Sequence, residues 1–156
     1  MKRVTLITCF ILSIFYISEA QQVQDSLSAS KLVIYGDFGP NLLGVPASIN
    51  VEGLFLNKKK IQLYARAGFG YGVIFFGPTG PGGLGALSFL VGGGKHHFEV
   101  DGGVFVGQDS YDGDTFLTPI ADIGYRFQKP GGGLFFKGKL GIVGFSIGLG
   151  YAFKNR

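Results

Sequence analysis

The sequence predicts an all-β fold: an eight-stranded antiparallel up-and-down transmembrane β-barrel, preceded by a cleaved signal peptide. Three observations predict it. After a polar lead-in, period-two alternation of bulky apolar residues with small or charged ones recurs almost to the end of the chain. Turn signals cut that stretch into eight segments of about ten residues, the length of a strand that crosses a bilayer. The composition is also wrong for a water-soluble domain. All 28 glycines follow residue 20, and charged residues are only 15% of the chain, against ~25% in ordinary soluble domains.

The N-terminus carries an export signal. Met1-Lys2-Arg3 is basic, Val4 to Ser18 is apolar except for Thr5, Thr8, Ser13 and Ser18, and Ser18-Glu19-Ala20 offers small residues at the cleavage site. Such an apolar run is short for a permanent span, which needs about 20 residues, so residues 1–20 read as a signal peptide with cleavage before Gln21. Cys9, the only cysteine, falls inside it, so the exported chain has no disulfide and no thiolate metal site. Residues 21–30 form the lead-in and 31–156 one barrel domain. Removing Lys2, Arg3 and Glu19 leaves 12 basic and 9 acidic residues, too mild an excess to argue nucleic acid as a partner.

Strands are expected near 31–39, 46–56, 61–75, 83–91, 97–107, 117–128, 134–142 and 144–153. In the second, Ile49, Val51, Gly53 and Phe55 alternate with Ser48, Asn50, Glu52 and Leu54. In the third, Ile61 through Val73 alternate with Gln62, Tyr64, Arg66, Gly68, Gly70 and Gly72. The fifth sets Phe98, Val100, Gly102 and Val104 against His97, Glu99, Asp101 and Gly103. The sixth sets Ala121, Ile123, Tyr125 and Phe127 against Asp122, Gly124 and Arg126; the seventh sets Phe136, Gly138, Leu140 and Ile142 against Phe135, Lys137, Lys139 and Gly141. Alternation sends the two sets to opposite faces of a strand. The connections 57–60, 92–95 and 129–132 are short; 40–45, 77–82 and 108–116 are longer. Short turns at one end and longer loops at the other match an outer-membrane barrel with its turns in the periplasm.

The polar face decides between lipid and water outside. A secreted lipocalin-like binding barrel turns its polar face to water, and that face must be well charged. Here it holds mostly Gly, Ala and Ser with a few charges of both signs, which suits a lumen. Glu52, Arg66, Glu99, Asp101, Asp122, Arg126, Lys137 and Lys139 form that lumen set. Eight strands leave an interior that side chains fill, so these charges read as a mutually neutralising plug and not as the filter of a pore. If residues 129–132 close a regular hairpin, Gln128 faces Gly133, Asp122 lies directly opposite Lys139, and Arg126 faces Phe135.

The final strand, Ser146-Ile147-Gly148-Leu149-Gly150-Tyr151-Ala152-Phe153, matches the terminal signal of bacterial outer-membrane barrels: polar, any, Gly, any, any, aromatic, any, aromatic. The resemblance implies that the barrel-assembly machinery recognises this strand through Gly148, Tyr151 and Phe153. With Gly92 to Val104 and Ile123 to Gly141, it makes the chain resemble small eight-stranded outer-membrane β-barrel proteins of Bacteroidetes-type bacteria. That family is defined by its fold, so the resemblance implies a location in the bacterial outer membrane, among its lipids, more than an activity.

Other motifs have bland readings. His96 and His97 are adjacent, so they point to opposite faces and cannot chelate one ion together. Asp109 to Asp114 departs from the helix-loop-helix calcium pattern and reads as a solvated acidic loop. Gly68-Phe69-Gly70-Tyr71-Gly72 is followed by no helix, so it is no dinucleotide fingerprint. The expectation is a monomeric, non-enzymatic membrane barrel without cofactor, with a structural, surface-interaction or minor transport role. Its rivals are an outer-membrane lipid-modifying enzyme and the secreted lipocalin-like barrel.

Overall fold

A computed structural model describes residues 29–58 and 60–154; the expected signal peptide and most of the lead-in lie outside them. The alternating segments form eight strands: β1 (Leu32–Phe38), β2 (Asn41–Lys58), β3 (Ile61–Ile74), β4 (Thr79–Gly93), β5 (His96–Gln108), β6 (Thr115–Gln128), β7 (Gly133–Gly141) and β8 (Val143–Ala152). Each pairs antiparallel with the next, and β1 pairs with β8 from Val33↔Ala152 to Phe38↔Ile147, which closes the barrel. Closure leaves the shared part of the wall without an unpaired edge.

Several strands run longer than the sequence suggests, and prolines explain why. β2 starts at Asn41 and not near 46, because Gly39-Pro40 alone makes the turn and a bulge between Gly44 and Ala47 accommodates Pro46. The expected long loop 40–45 is therefore mostly strand, and its first residues pair with β8 at Asn41↔Gly144 and Leu43↔Val143. β4 starts at Thr79 and not near 83; its ladder to β5 begins at Gly82. Pro81 thus sits where β4 has one neighbour, the place in a sheet that tolerates a missing N–H. Pro119 of β6 is alike, since the β7 ladder begins only at Ile123. The expected contrast between short turns and long loops shrinks accordingly, with Asp109–Asp114 the longest connection among the described residues.

The β6–β7 register differs from the expected one by two residues. Gln128 faces Phe135, Arg126 faces Lys137 and Gly124 faces Lys139. Gly131, Gly132 and Gly133 all have positive φ, at 83°, 97° and 119°. Three such residues in succession, readily adopted only by glycine, widen the turn beyond the four-residue hairpin. A shift of two keeps every side chain on its expected face, so the lumen set survives while its wall neighbours change.

Inside, side chains fill the barrel in three layers. At the end where β1 starts and β8 finishes, Val33, Tyr35, Tyr64, Leu90, Phe135 and Ala152 form one apolar layer. Leu84, Phe105, Phe116 and Ile120 form another at the opposite end. Inner glycines leave the space these groups need: a Cβ on Gly72 would strike the Phe105 ring. The charged residues lie between the two layers.

Candidate functional site

The middle layer is a network of nine charged side chains. It contains all eight residues expected in the lumen, plus Asp37. The half nearer the start of β1 and the end of β8 is dry. The Arg126 Nη1 lies 2.7 Å from Glu52 Oε2 and 3.5 Å from Glu99 Oε2. Lys137 Nζ donates to Glu99 Oε1 at 2.8 Å and Glu52 Oε1 at 3.2 Å, and the Tyr35 hydroxyl donates to Glu52 Oε1 at 2.6 Å. Aromatic faces hold the cations: Arg126 sits 4.7 Å from the Tyr64 ring centre and 4.5 Å from that of Phe135, and Lys137 sits 4.3 Å from that of Tyr35. Cations over aromatic rings gain further attraction where water is excluded.

The other half lies nearer the loops. Arg66 reaches Asp37 Oδ2 and Asp101 Oδ2, both at 3.4 Å, and its Nε donates to Asn50 Oδ1 at 3.0 Å. Lys139 Nζ pairs most closely with Asp37, then with Asp122 Oδ2 at 3.2 Å and Asp101 Oδ2 at 3.7 Å. Asp122 is the most exposed side chain in the network's ion pairs, at 19%. Beside it a cavity of about 20 Å³, lined in part by Asp37, Arg66, Asp122 and Lys139, opens under the first residues of β2. That volume holds about one water molecule. Asp37, whose Oδ1 is buried and without a protein partner, is one of the residues lining it.

The ion pairs cross the lumen. Directly opposed wall neighbours are in two cases like-charged, Asp101 with Asp122 and Arg126 with Lys137, an arrangement that costs stability between strands by itself. Closure compensates. It brings Lys137 and Lys139 of β7 against Glu52 of β2, Glu99 and Asp101 of β5, and Asp37 of β1. Asp122 still pairs with Lys139, but diagonally and behind Asp37. The sequence carried a signal for Asp37: it continues the period-two series Val33, Tyr35, Asp37 on one face of β1.

Of the three terminal-strand residues, Gly148 lies on the opposite face from Tyr151 and Phe153. Gly148 faces inward, where a Cβ would lie 2.8 Å from Lys137 Cγ and 3.4 Å from the Tyr35 ring. Tyr151 and Phe153 face outward with ring centres 5.3 Å apart. His96 and His97 lie on opposite faces, His96 outward against the Tyr125 hydroxyl and His97 inward and buried. In the acidic loop, Asp109 Oδ1 accepts from the backbone N–H of Thr79 and Tyr111, and Asp112 Oδ1 from that of Asp114. These carboxylates cap their own turn. Among the described residues no group of three or more His, Cys, Asp or Glu side chains is arranged to hold a metal ion.

The outer surface inverts the usual partition. Among the described residues 34 large hydrophobic side chains are exposed, against nine buried ones and Ala152. Comparison with known proteins gives no match: no protein-family model, no curated protein and no solved structure is significantly similar to this chain. The resemblance carried by the sequence thus reaches as far as an eight-stranded antiparallel closed barrel, and no family is identified.

Proposed function

We propose that this chain is an integral outer-membrane β-barrel, exported by its signal peptide, whose lumen is closed by the ion network. One observation carries the reading. Apart from Lys58 at the very end of β2, no outward-facing strand residue among the described residues is charged, while nine charged residues point inward. A water-facing surface this apolar far exceeds the patches that soluble monomers tolerate, and a closed barrel meets the bilayer's demand that backbone groups bond internally. The heights agree. Ten residues of β8 at about 3.4 Å each, tilted by about 40°, rise about 25 Å, the height of the apolar band in such barrels.

The packed interior favours a structural or surface-interaction role over conduction, and a non-enzymatic one. The barrel-assembly machinery is the partner that the last strand suggests, through Tyr151 and Phe153. Gly148 has a packing reason of its own in Lys137. Alkaline carbonate extraction of cells expressing the protein tests the membrane reading: it should stay in the pellet and migrate as a heat-shifted band on gels. Release into the supernatant would exclude it. In the same cells Tyr151→Ala with Phe153→Ala should reduce the amount of heat-shifted band; an unchanged amount would remove the assembly role.

A further inference from the structure

The two ends of the barrel carry opposite charge. Lys58 and Lys60 flank the β2–β3 turn, Lys95 lies in the β4–β5 turn, Lys129 in the β6–β7 turn, and Lys154 follows β8, next to Lys31 before β1. All six are exposed. Every connection at this end therefore bears a lysine, which spaces the charges around the whole circumference. At the opposite end the charges are Asp109, half-buried, and Asp112 and Asp114, both exposed, with no Lys or Arg among the described residues there. Among the described residues, Lys58, Lys60, Lys95, Lys129 and Lys154 take part in none of the ion pairs, which lie in the lumen.

We propose that this lysine ring docks the phosphate groups of anionic lipids in the leaflet at the end where β1 starts and β8 finishes. The inference rests on the membrane reading above and adds a headgroup preference to it. Three features fit. The ring lies at the border of the apolar wall, within a few residues along the strands of the exposed Tyr125, Tyr151 and Phe153, aromatic groups of the kind found at membrane interfaces. Lysine keeps its ammonium at that border while its stem lies along apolar surface. A compact ammonium is a point-charge donor suited to phosphate oxygens approached from varied directions, as mobile headgroups require.

The test uses the folded full barrel in vesicles of phosphatidylcholine with a minor share of phosphatidylglycerol. Spin-labelled versions of each lipid report which one the barrel immobilises. The wild type should prefer phosphatidylglycerol by roughly fivefold or more, what a single lysine near an anionic surface is worth, and added NaCl should lower the preference. Combining Lys58→Gln, Lys60→Gln, Lys95→Gln, Lys129→Gln and Lys154→Gln should cut it severalfold while the heat-shifted band shows a folded barrel. Asp109→Asn with Asp112→Asn and Asp114→Asn should leave it undiminished. Equal association of both lipids with the wild type, or a preference undiminished by the five glutamines, overturns the inference alone. A wild-type barrel that does not float with the vesicles overturns the membrane reading, and the ring proposal with it. Replacing chloride by inorganic phosphate at constant ionic strength should change little; a collapse of the preference would make the ring a site for soluble phosphate instead.

Discussion

The two halves of the ion layer use the same chemistry under different conditions. Around Glu52, Glu99, Arg126 and Lys137 the side chains of the ion pairs are at most 1% exposed, and aromatic rings cover the cations. Around Asp37, Asp122 and Lys139 a cavity approaches the carboxylates, and Asp122 is partly open. A charge stripped of its partner in the first half has no route to water. In the second it has one. The loss on breaking a pair should therefore follow depth more than the number of contacts.

The largest effect expected is from Arg126→Met. It leaves Glu52 and Glu99 facing Lys137 alone, and breaking such a buried pair costs about 3–5 kcal/mol. Urea unfolding in detergent micelles measures it, and Glu52→Gln should recover part of the loss; a cost below about 1 kcal/mol would mean that water already reaches the dry half. Lys139→Met should cost less, about 2–3 kcal/mol, because the freed carboxylates border the cavity. Its partner is sharper still. Adding Asp37→Asn should recover more than adding Asp122→Asn, since Lys139 pairs most closely with Asp37, and the reverse order would reject the arrangement across the lumen. Gly148→Ala inserts a methyl against the Lys137 stem and the Tyr35 ring and should cost about 1–3 kcal/mol by overpacking. Asp122→Asn, at the open edge, should cost under about 1 kcal/mol. A larger loss there would erase the distinction between the halves.

The faces of the strands were legible in the sequence because period two is a local property. Every inward assignment from Ser48 to Lys139 depends only on its strand neighbours, and a register error of two residues leaves it intact. Partners were not legible. Which carboxylate meets Lys139 depends on barrel closure, which brings β1 across from β7, and on a turn whose three positive-φ glycines set the offset. The aromatic layers above and below the ions were also hidden. Val33 and Tyr35 alternate with Leu32 and Ile34, so both faces of that stretch read as apolar. Tyr64 and Phe135 fall inward only as continuations of the charged series on their strands, with no sign that they join a layer. Strand ends failed at Pro46 and Pro81 for a physical reason: proline ends a central strand but is tolerated at a bulge or where a strand has one neighbour.

The account's central claim is that the apolar wall meets lipid while the ions stay inside. Spin labels placed singly along β8, in the barrel reconstituted into phosphatidylcholine vesicles, test it directly. Labels at Phe145, Ile147, Leu149 and Tyr151 should collide readily with oxygen, which dissolves in the bilayer, and little with a water-soluble nickel reagent. Labels at Ser146 and Ala152 should be shielded from both, Gly148 and Gly150 being left out of the series because even a Cβ there would collide. Nickel accessibility at the four outward positions would place that wall in water and contradict the account; nickel accessibility at the inward ones would mean an open, hydrated lumen in place of a closed one.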